Sequence, residues 1–343
     1  MVDYVSNIKE SQLTIYDEIE IGNPKLWIPS PDLQKILNRS LNGRDVSGMA
    51  TRTRSKKVNE WIAESLGYPV PSSFKRTEPR FPGQNFDKYV QKASNLQIWN
   101  QDLAPDRRYV IIDVTANDII RKVRVVTGDV LAELDTTNTS TGKYQARLSL
   151  GESHYELISE KDTDNVQPIV ASKGDIDLGS VAPTAYPGRE SILPIGVVFE
   201  RLKSLVGKKF KDPGLLQDRN RGSNLHDMVC QELGFDQYAD DGRFPDISQQ
   251  ILEVKMQTST TIDLGIALPS DDSAIDFPKI ENRQILYRDV RYALFYGNTN
   301  GSKVQLTHLF VTTGEDFFDR FKQFGGKTLN EKIQIKIPDG FFD

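Results

Sequence analysis

The spacing of apolar residues near the start of the chain predicts one well-defined helix. Its apolar side chains are Val58, Trp61, Ile62 and Leu66. This spacing of three or four positions is typical of a helix that buries one face. Ser55 is suited to cap its amino terminus, and Gly67 is suited to end it. Residues 72–86 lack any regular period and are predicted to form a long loop.

Segments of period two further along the chain predict strands. They lie at residues 109–114, 122–126, 251–257, 290–296 and 303–311. The first two strands are expected to form a β-meander, and the last two to form a hairpin around a turn at 297–301. Further helices are predicted at 225–233 and 315–324. Helices interspersed with hairpins predict an α/β (α+β) fold.

The strand at 251–257 has one apolar face and one chemically reactive face. The apolar side chains are Leu252, Val254 and Met256. The alternate positions, on the other face, hold Glu253, Lys255 and Gln257. Pro245-Asp246 precedes this strand, with six residues between Asp246 and Glu253. This order can place two carboxylates and one ammonium around a single point.

Two carboxylates beside an amine suit the hydrolysis of a phosphodiester with the help of Mg²⁺. Magnesium prefers oxygen ligands, which Asp246, Glu253 and the backbone carbonyl of Val254 would supply. The bound ion would polarise the phosphate and lower the pKa of its water. Lys255 would orient or deprotonate the attacking water and compensate the charge of the phosphate.

The segment Pro245-Asp246, six residues and Glu253-Val254-Lys255, following a helix that carries Glu232, resembles the PD-(D/E)XK nuclease superfamily. The resemblance covers residues 195–324 and implies Asp246 and Glu253 as metal ligands and Lys255 as the catalytic amine. It also implies Glu232 as an auxiliary ligand of metal or water. Gln257, on the same strand face, is a weaker candidate for contact with the site.

This resemblance implies a carboxyl-terminal core like that of restriction endonucleases, with a central mixed β-sheet flanked by helices. We expect this nuclease core at residues 188–343. Residues 1–187 would form an amino-terminal mixed α/β lobe that recognises DNA. Together these expectations describe a type II restriction endonuclease that cleaves double-stranded DNA with Mg²⁺, and the family analogy suggests a homodimer.

The charge distribution agrees with a DNA partner although the chain as a whole has a formal charge of −5. Residues 39–92 contain eleven Lys and Arg against five Asp and Glu. A cluster of this kind is typical of contact with phosphates. The residues expected to contact DNA are Arg52, Arg54, Lys56, Lys57, Lys75, Arg76 and Arg80.

Composition excludes several other classes. The single cysteine, Cys230, excludes internal disulfides and zinc clusters built on cysteine. No apolar run is long enough to span a membrane, no signal peptide is evident, and no glycine-rich loop suggests ATP. We therefore expect a cytoplasmic protein that needs neither a membrane nor ATP.

Two other functions remain open at this point. A repair-type endonuclease with the same core would nick one strand and need a partner protein. A catalytically inactive protein would bind specific DNA sequences without cutting them. The structural alternative to all three is a surface salt-bridge ladder, in which Glu253 and Lys255 are exposed and Asp246 is a turn residue.

Overall fold

The computed structural model describes residues 2–92, 94–99, 103–135, 144–148, 153–172, 174, 176–212, 218–300, 302–324 and 332–342. Within these ranges it describes the backbone alone for 51, 52, 99, 218–221, 324 and 332. The α-helices of this part of the chain are α1 Tyr4–Ser11, α2 Ser30–Leu41, α3 Thr51–Ser65, α4 Gly128–Glu133, α5 Ile195–Leu202, α6 Asp218–Leu233 and α7 Phe317–Arg320. Its strands are β1 Phe86–Gln91, β2 Asn95–Trp99, β3 Arg108–Val114, β4 Ile120–Thr127, β5 Tyr144–Arg147, β6 Tyr155–Leu157, β7 Lys209–Lys211, β8 Leu252–Gln257, β9 Thr261–Gly265, β10 Arg291–Thr299, β11 Lys303–Thr313, β12 Lys322–Phe324 and β13 Lys332–Lys336.

By its internal contacts the chain divides into two compact units. Unit 1 comprises Met1–Gly142, Asp276–Lys279 and Thr328–Asp343, and unit 2 comprises Lys143–Ile275 and Ile280–Lys327. The boundary expected from the sequence, between residues 187 and 188, lies inside unit 2. The reason is long-range pairing, because β5 joins β9 and β6 joins β11. Such pairing leaves no trace in local composition.

Unit 1 is built on a three-stranded sheet in the order β1-β3-β4. The expected meander is present, since β3 and β4 are antiparallel, and β1 adds a parallel strand on the other side of β3. Helix α3 coincides with the predicted helix but begins five residues earlier, after Ala50. The buried residues of α2 and α3 share one apolar core with the sheet.

Unit 2 is built on a mixed sheet in the order β6-β11-β10-β8, and β7 also pairs with β11. Strands β10 and β11 form the predicted antiparallel hairpin. Strand β8 runs parallel to β10, and β6 runs parallel to β11. A smaller sheet has the order β12-β5-β9. These features confirm the mixed α/β class.

Helices α5 and α6 share one apolar core with residues of β8, β10 and β11. Leu252, Val254 and Met256 belong to this core or pack against it, as their alternation predicts. Glu253 and Lys255 therefore point to the opposite face of the sheet. The sequence pattern of β8 thus fixes the face on which a site can form.

The predicted helix over 315–324 is wrong in its second half. Only Phe317–Arg320 is helical, and Lys322–Phe324 forms β12 against β5. The buried side chain of Phe321 stacks on that of Phe317 with ring centroids 4.6 Å apart. This packing, together with pairing to a strand far away in sequence, overrides the helical spacing of the phenylalanines. In the described part of the chain, no helix is long and apolar enough to cross a membrane.

Candidate active site

The segment that carries Asp246 lies at the edge of β8 that faces away from β10. Ile247 pairs with Leu252 across a short 3₁₀ turn, Ser248–Gln250, so Asp246 is brought back beside the strand. The turn is held by the buried Gln250, which accepts a hydrogen bond from the Leu193 amide at 2.9 Å. Backbone pairing around the turn therefore brings Asp246 to this edge.

Three side chains converge at this edge. The backbone amide of Asp246 donates to Oε2 of Glu253 at 3.2 Å, and the amide of Val254 donates to Oδ2 of Asp246 at 2.9 Å. Nζ of Lys255 donates to Oε1 of Glu253 at 3.0 Å. The structure thus brings together Asp246, Glu253 and Lys255, the group expected from the sequence.

The cluster is shielded from water, unlike a surface salt-bridge ladder. Glu253 is 4% exposed, and the side chain of Lys255 is 15% exposed. Charges held in such a setting interact more strongly than on a surface, because less water screens them. A salt-bridge ladder of exposed residues therefore does not describe this edge.

The donor set suits a hard cation. Asp246 and Glu253 offer carboxylate oxygens, and Val254, between Glu253 and Lys255, has its side chain turned to the core. Two carboxylates with a backbone carbonyl and water are typical ligands of Mg²⁺, which rarely has a cage made only of protein groups. Among the described residues no group of three or more His, Cys, Asp or Glu side chains could hold a metal ion. The fit to Mg²⁺ therefore depends on this pair of carboxylates.

Glu232, expected from the sequence as an auxiliary ligand, has partners other than Asp246, Glu253 and Lys255. Its carboxylate accepts a hydrogen bond from Ser204 at 2.6 Å and pairs with the ammonium of Lys208. Side-chain partners on another segment thus occupy the carboxylate that was expected to serve the site.

Asp227, five residues earlier on α6, is an exposed acid of the same helix. Burial and then the negative charges of Asp227, Asp246 and Asp240 raise the pKa of Cys230 to about 12. Asp227 and Asp246 therefore lie near the same thiol. Five positions along a helix rotate a side chain by about 140°, so Glu232 cannot share this face with Asp227.

A buried polar network beneath the turn was also missed. Arg291 at the start of β10 is fully buried, and its Nε donates to Asp162 at 2.6 Å. Its Nη1 donates to the Gln250 carbonyl at 3.4 Å. The sequence signal that could have revealed it is an arginine at the start of an apolar strand, because a charged residue in such a strand needs a partner.

The residues expected to contact DNA have different surroundings. Arg54 pairs with Asp118 at 2.8 Å, and Lys57 pairs with Glu60 at 3.0 Å. Gln257 is a partly buried residue at the end of β8. The side chain of Arg52 lies outside the described part of the structure. The exposed members of the set are Lys56, Lys75, Arg76 and Arg80.

Comparison with known proteins adds no relative. No protein-family model matches the chain, and no curated protein or solved structure matches it either. The chemistry of the candidate site therefore has to be argued from its own geometry.

Proposed function

We propose that this protein is a Mg²⁺-dependent endonuclease that hydrolyses phosphodiester bonds of double-stranded DNA, of the type II restriction class. The observation that supports the proposal is the convergence of Asp246, Glu253 and Lys255 at the edge of β8 that faces away from β10. An ammonium 3.0 Å from a shielded carboxylate, with a second carboxylate beside it, is the donor set that this chemistry requires.

Each residue has a role in the proposed reaction. Asp246 and Glu253, with the Val254 carbonyl, would hold Mg²⁺, which when bound polarises the scissile phosphate and acidifies its water. The ammonium of Lys255 would hold the attacking water or a phosphate oxygen and offset the negative charge that grows in the transition state. Burial of the cluster would keep these interactions strong.

Recognition of DNA is part of the same proposal. The exposed cations Lys56, Lys75, Arg76 and Arg80 of unit 1 would contact phosphates or base edges, and arginine is favoured for guanine. Cutting both strands of a palindromic site requires two catalytic centres, so we include a homodimer in the proposal.

Cleavage of supercoiled plasmid DNA with Mg²⁺ or with EDTA tests the proposal. We expect discrete double-strand fragments with Mg²⁺ and none with EDTA. Asp246→Asn and Lys255→Ala should each lower the cleavage rate at least about a hundredfold, because each removes a group that acts on the reacting phosphate. Binding to a labelled duplex should persist in both variants.

Lys303→Ala is the matched control, since Lys303 is an exposed lysine at the start of β11 in the same unit. It should cut at the normal rate. Normal cutting by Asp246→Asn would contradict the site assignment. Nicked circles alone would favour a repair-type nicking enzyme, and tight binding without any cutting would favour an inactive DNA-binding protein.

A further inference from the structure

The strands of unit 1 repeat the pairing of those in unit 2. Strand β1 runs parallel to β3, which is antiparallel to β4, just as β8 runs parallel to β10, which is antiparallel to β11. The register also agrees. Arg108 lies opposite Phe86 and Thr127, and Arg291 lies opposite Leu252 and Thr313.

The turns before β1 and β8 are built alike. Each is a 3₁₀ turn, Pro82–Gln84 or Ser248–Gln250, closed by a bridge between Phe81 and Phe86 or between Ile247 and Leu252. The residues that follow these turns, Asn85 and Ile251, have φ values of 44° and 50°. Such a conformation is uncommon outside glycine, above all for a β-branched residue such as Ile251.

The same buried side chains hold both turns. Gln84 accepts a hydrogen bond from the Ile28 amide at 3.0 Å, as Gln250 accepts one from Leu193 at 2.9 Å. The turn carbonyls of both glutamines accept hydrogen bonds from fully buried arginines. These bonds measure 3.1 Å from Arg108 Nε to Gln84 and 3.4 Å from Arg291 Nη1 to Gln250.

The helices before the turns also correspond. Both α3 and α6 run into a Leu-Gly-aromatic sequence, Leu66-Gly67-Tyr68 or Leu233-Gly234-Phe235. The amide of the aromatic residue donates to the helix five residues back, at 2.9 Å in unit 1 and 3.0 Å in unit 2. The two units thus agree in three separate features: the strand register, the buried network and the ends of the helices. We infer that the two units are copies of one ancestral core, although no repeat of fixed period is visible in the sequence.

This correspondence identifies what unit 1 holds at the position of the catalytic site. The amide of Arg80 donates to Asp87 at 2.9 Å, just as that of Asp246 donates to Glu253 at 3.2 Å. Asp87 therefore stands in the place of Glu253, Arg80 in the place of Asp246, and Tyr89 in the place of Lys255. Only one of the two carboxylates is kept.

This cluster is less negative than the one in unit 2. Asp87 is 4% exposed and pairs with Nη1 of Arg107 at 3.3 Å. Arg107 is also shared with Glu78 at 3.2 Å. The exposed guanidinium of Arg80 therefore adds positive charge where unit 2 has a metal-ligating carboxylate. A guanidinium can donate two parallel hydrogen bonds to a phosphate, so it can replace a divalent ion as a phosphate ligand.

We propose that unit 1 is a non-cleaving copy of the unit 2 core, and that Arg80 beside the Asp87–Arg107 pair binds a phosphodiester of duplex DNA without a divalent ion. The choice of DNA as ligand rests on the function proposed for unit 2. At the positions of Asp246 and Lys255 unit 1 has Arg80 and Tyr89, so it would hold the strand and not cut it.

Binding of a fluorescently labelled duplex in EDTA, followed by anisotropy over a range of salt concentrations, tests this inference. Without metal, the carboxylates of Asp246 and Glu253 repel a phosphate, so binding in EDTA reports on unit 1. Arg80→Ala should weaken the affinity about tenfold. It should also make the fall of log K with log salt concentration less steep by about 0.9. Arg80→Lys should recover the slope and only part of the affinity.

Lys35→Ala is the matched control, because the Lys35 side chain of unit 1 is 78% exposed and pairs with Asp32, three residues earlier, at 3.4 Å. It should change the affinity less than twofold. The inference would be overturned by an Arg80→Ala chain that is as stable to unfolding as the wild type and binds the duplex in EDTA with the same affinity. Cleavage of DNA by the wild type with Mg²⁺ is measured as a separate result, because it tests only the function proposed for unit 2. Arg80-dependent binding without any cleavage would support unit 1 as a DNA-binding copy and contradict the function proposed for unit 2.

Discussion

Lys88 in β1 gives a quantitative prediction that does not depend on function. Its Nζ donates to the carbonyl of Ser55 at 3.1 Å and to its Oγ at 2.8 Å. Burial, followed by the nearby charge of Arg80, lowers the pKa of Lys88 to about 7. A neutral amine still carries two N–H donors, so both hydrogen bonds survive loss of the proton.

The lowered pKa makes the stability of unit 1 depend on pH in a defined direction. An unfolded lysine has a pKa of about 10.4. Between about pH 7 and pH 10.4 the unfolded chain therefore holds a proton that the folded chain has released. The free energy of unfolding should rise with pH in this window by at most about 1.4 kcal/mol per pH unit. From pH 7 to pH 10 the limit is about 4 kcal/mol, and residual contact of the side chain with solvent reduces it.

Lys88→Met removes this contribution while filling a similar volume. Urea unfolding of both chains, followed by tryptophan fluorescence, measures it, since all three tryptophans lie within unit 1. The wild type should gain stability relative to Lys88→Met as the pH rises from 7 to 10. Lys35→Met, at an exposed site, should show no such trend. A difference between wild type and Lys88→Met that is constant or falls with pH would refute the lowered pKa.

Two further substitutions test the packing of unit 2. Asp162→Ala leaves the buried guanidinium of Arg291 without the carboxylate that lies 2.6 Å away, so unfolding followed by circular dichroism should show a loss of about 3–5 kcal/mol; a loss below about 1 kcal/mol would contradict it. Gly314→Ala would place Cβ 2.3 Å from the Pro269 carbonyl, whereas Gly188→Ala meets nothing within 4 Å. We expect a loss of about 2 kcal/mol or more for the first and little change for the second, and equal thermal midpoints would contradict this reasoning.

The elements that the sequence predicted are those with a local signal. The hairpin of β10 and β11 and the core of α3 follow from periodicity and turn residues. The first turn of α3 was missed because it contains threonine and arginine and no apolar position. Strand β1 was missed because it follows a proline-rich loop and pairs in parallel with a strand about twenty residues away. Pairing of that kind depends on tertiary contacts.

The residues of the candidate site also differ in how far the sequence predicts where they lie. Asp246, Glu253 and Lys255 lie within ten residues, and strand alternation with one turn decides where they meet. The partners of Glu232, Ser204 and Lys208, could not be predicted because an apolar stripe fixes only roughly where a helix points its other residues. Arg291 and Asp162 are separated by 129 positions, so their pairing exists only in the folded chain.

Comparison of the two units separates residues that maintain the fold from those that carry chemistry. Gly128 and Gly314 occupy matching positions after β4 and β11, and an added Cβ would lie 2.0 Å and 2.3 Å from a backbone carbonyl. Neither can change without moving the backbone. The buried glutamines and arginines of the turns satisfy backbone groups that water cannot reach, and losing them is costly. Positions 80 and 246, by contrast, share the bond that their backbone amides donate to the carboxylate of Asp87 or Glu253. This bond does not depend on which side chain the position carries, so the charge there can differ between the two units, as the proposed metal site and the proposed phosphate-binding copy require.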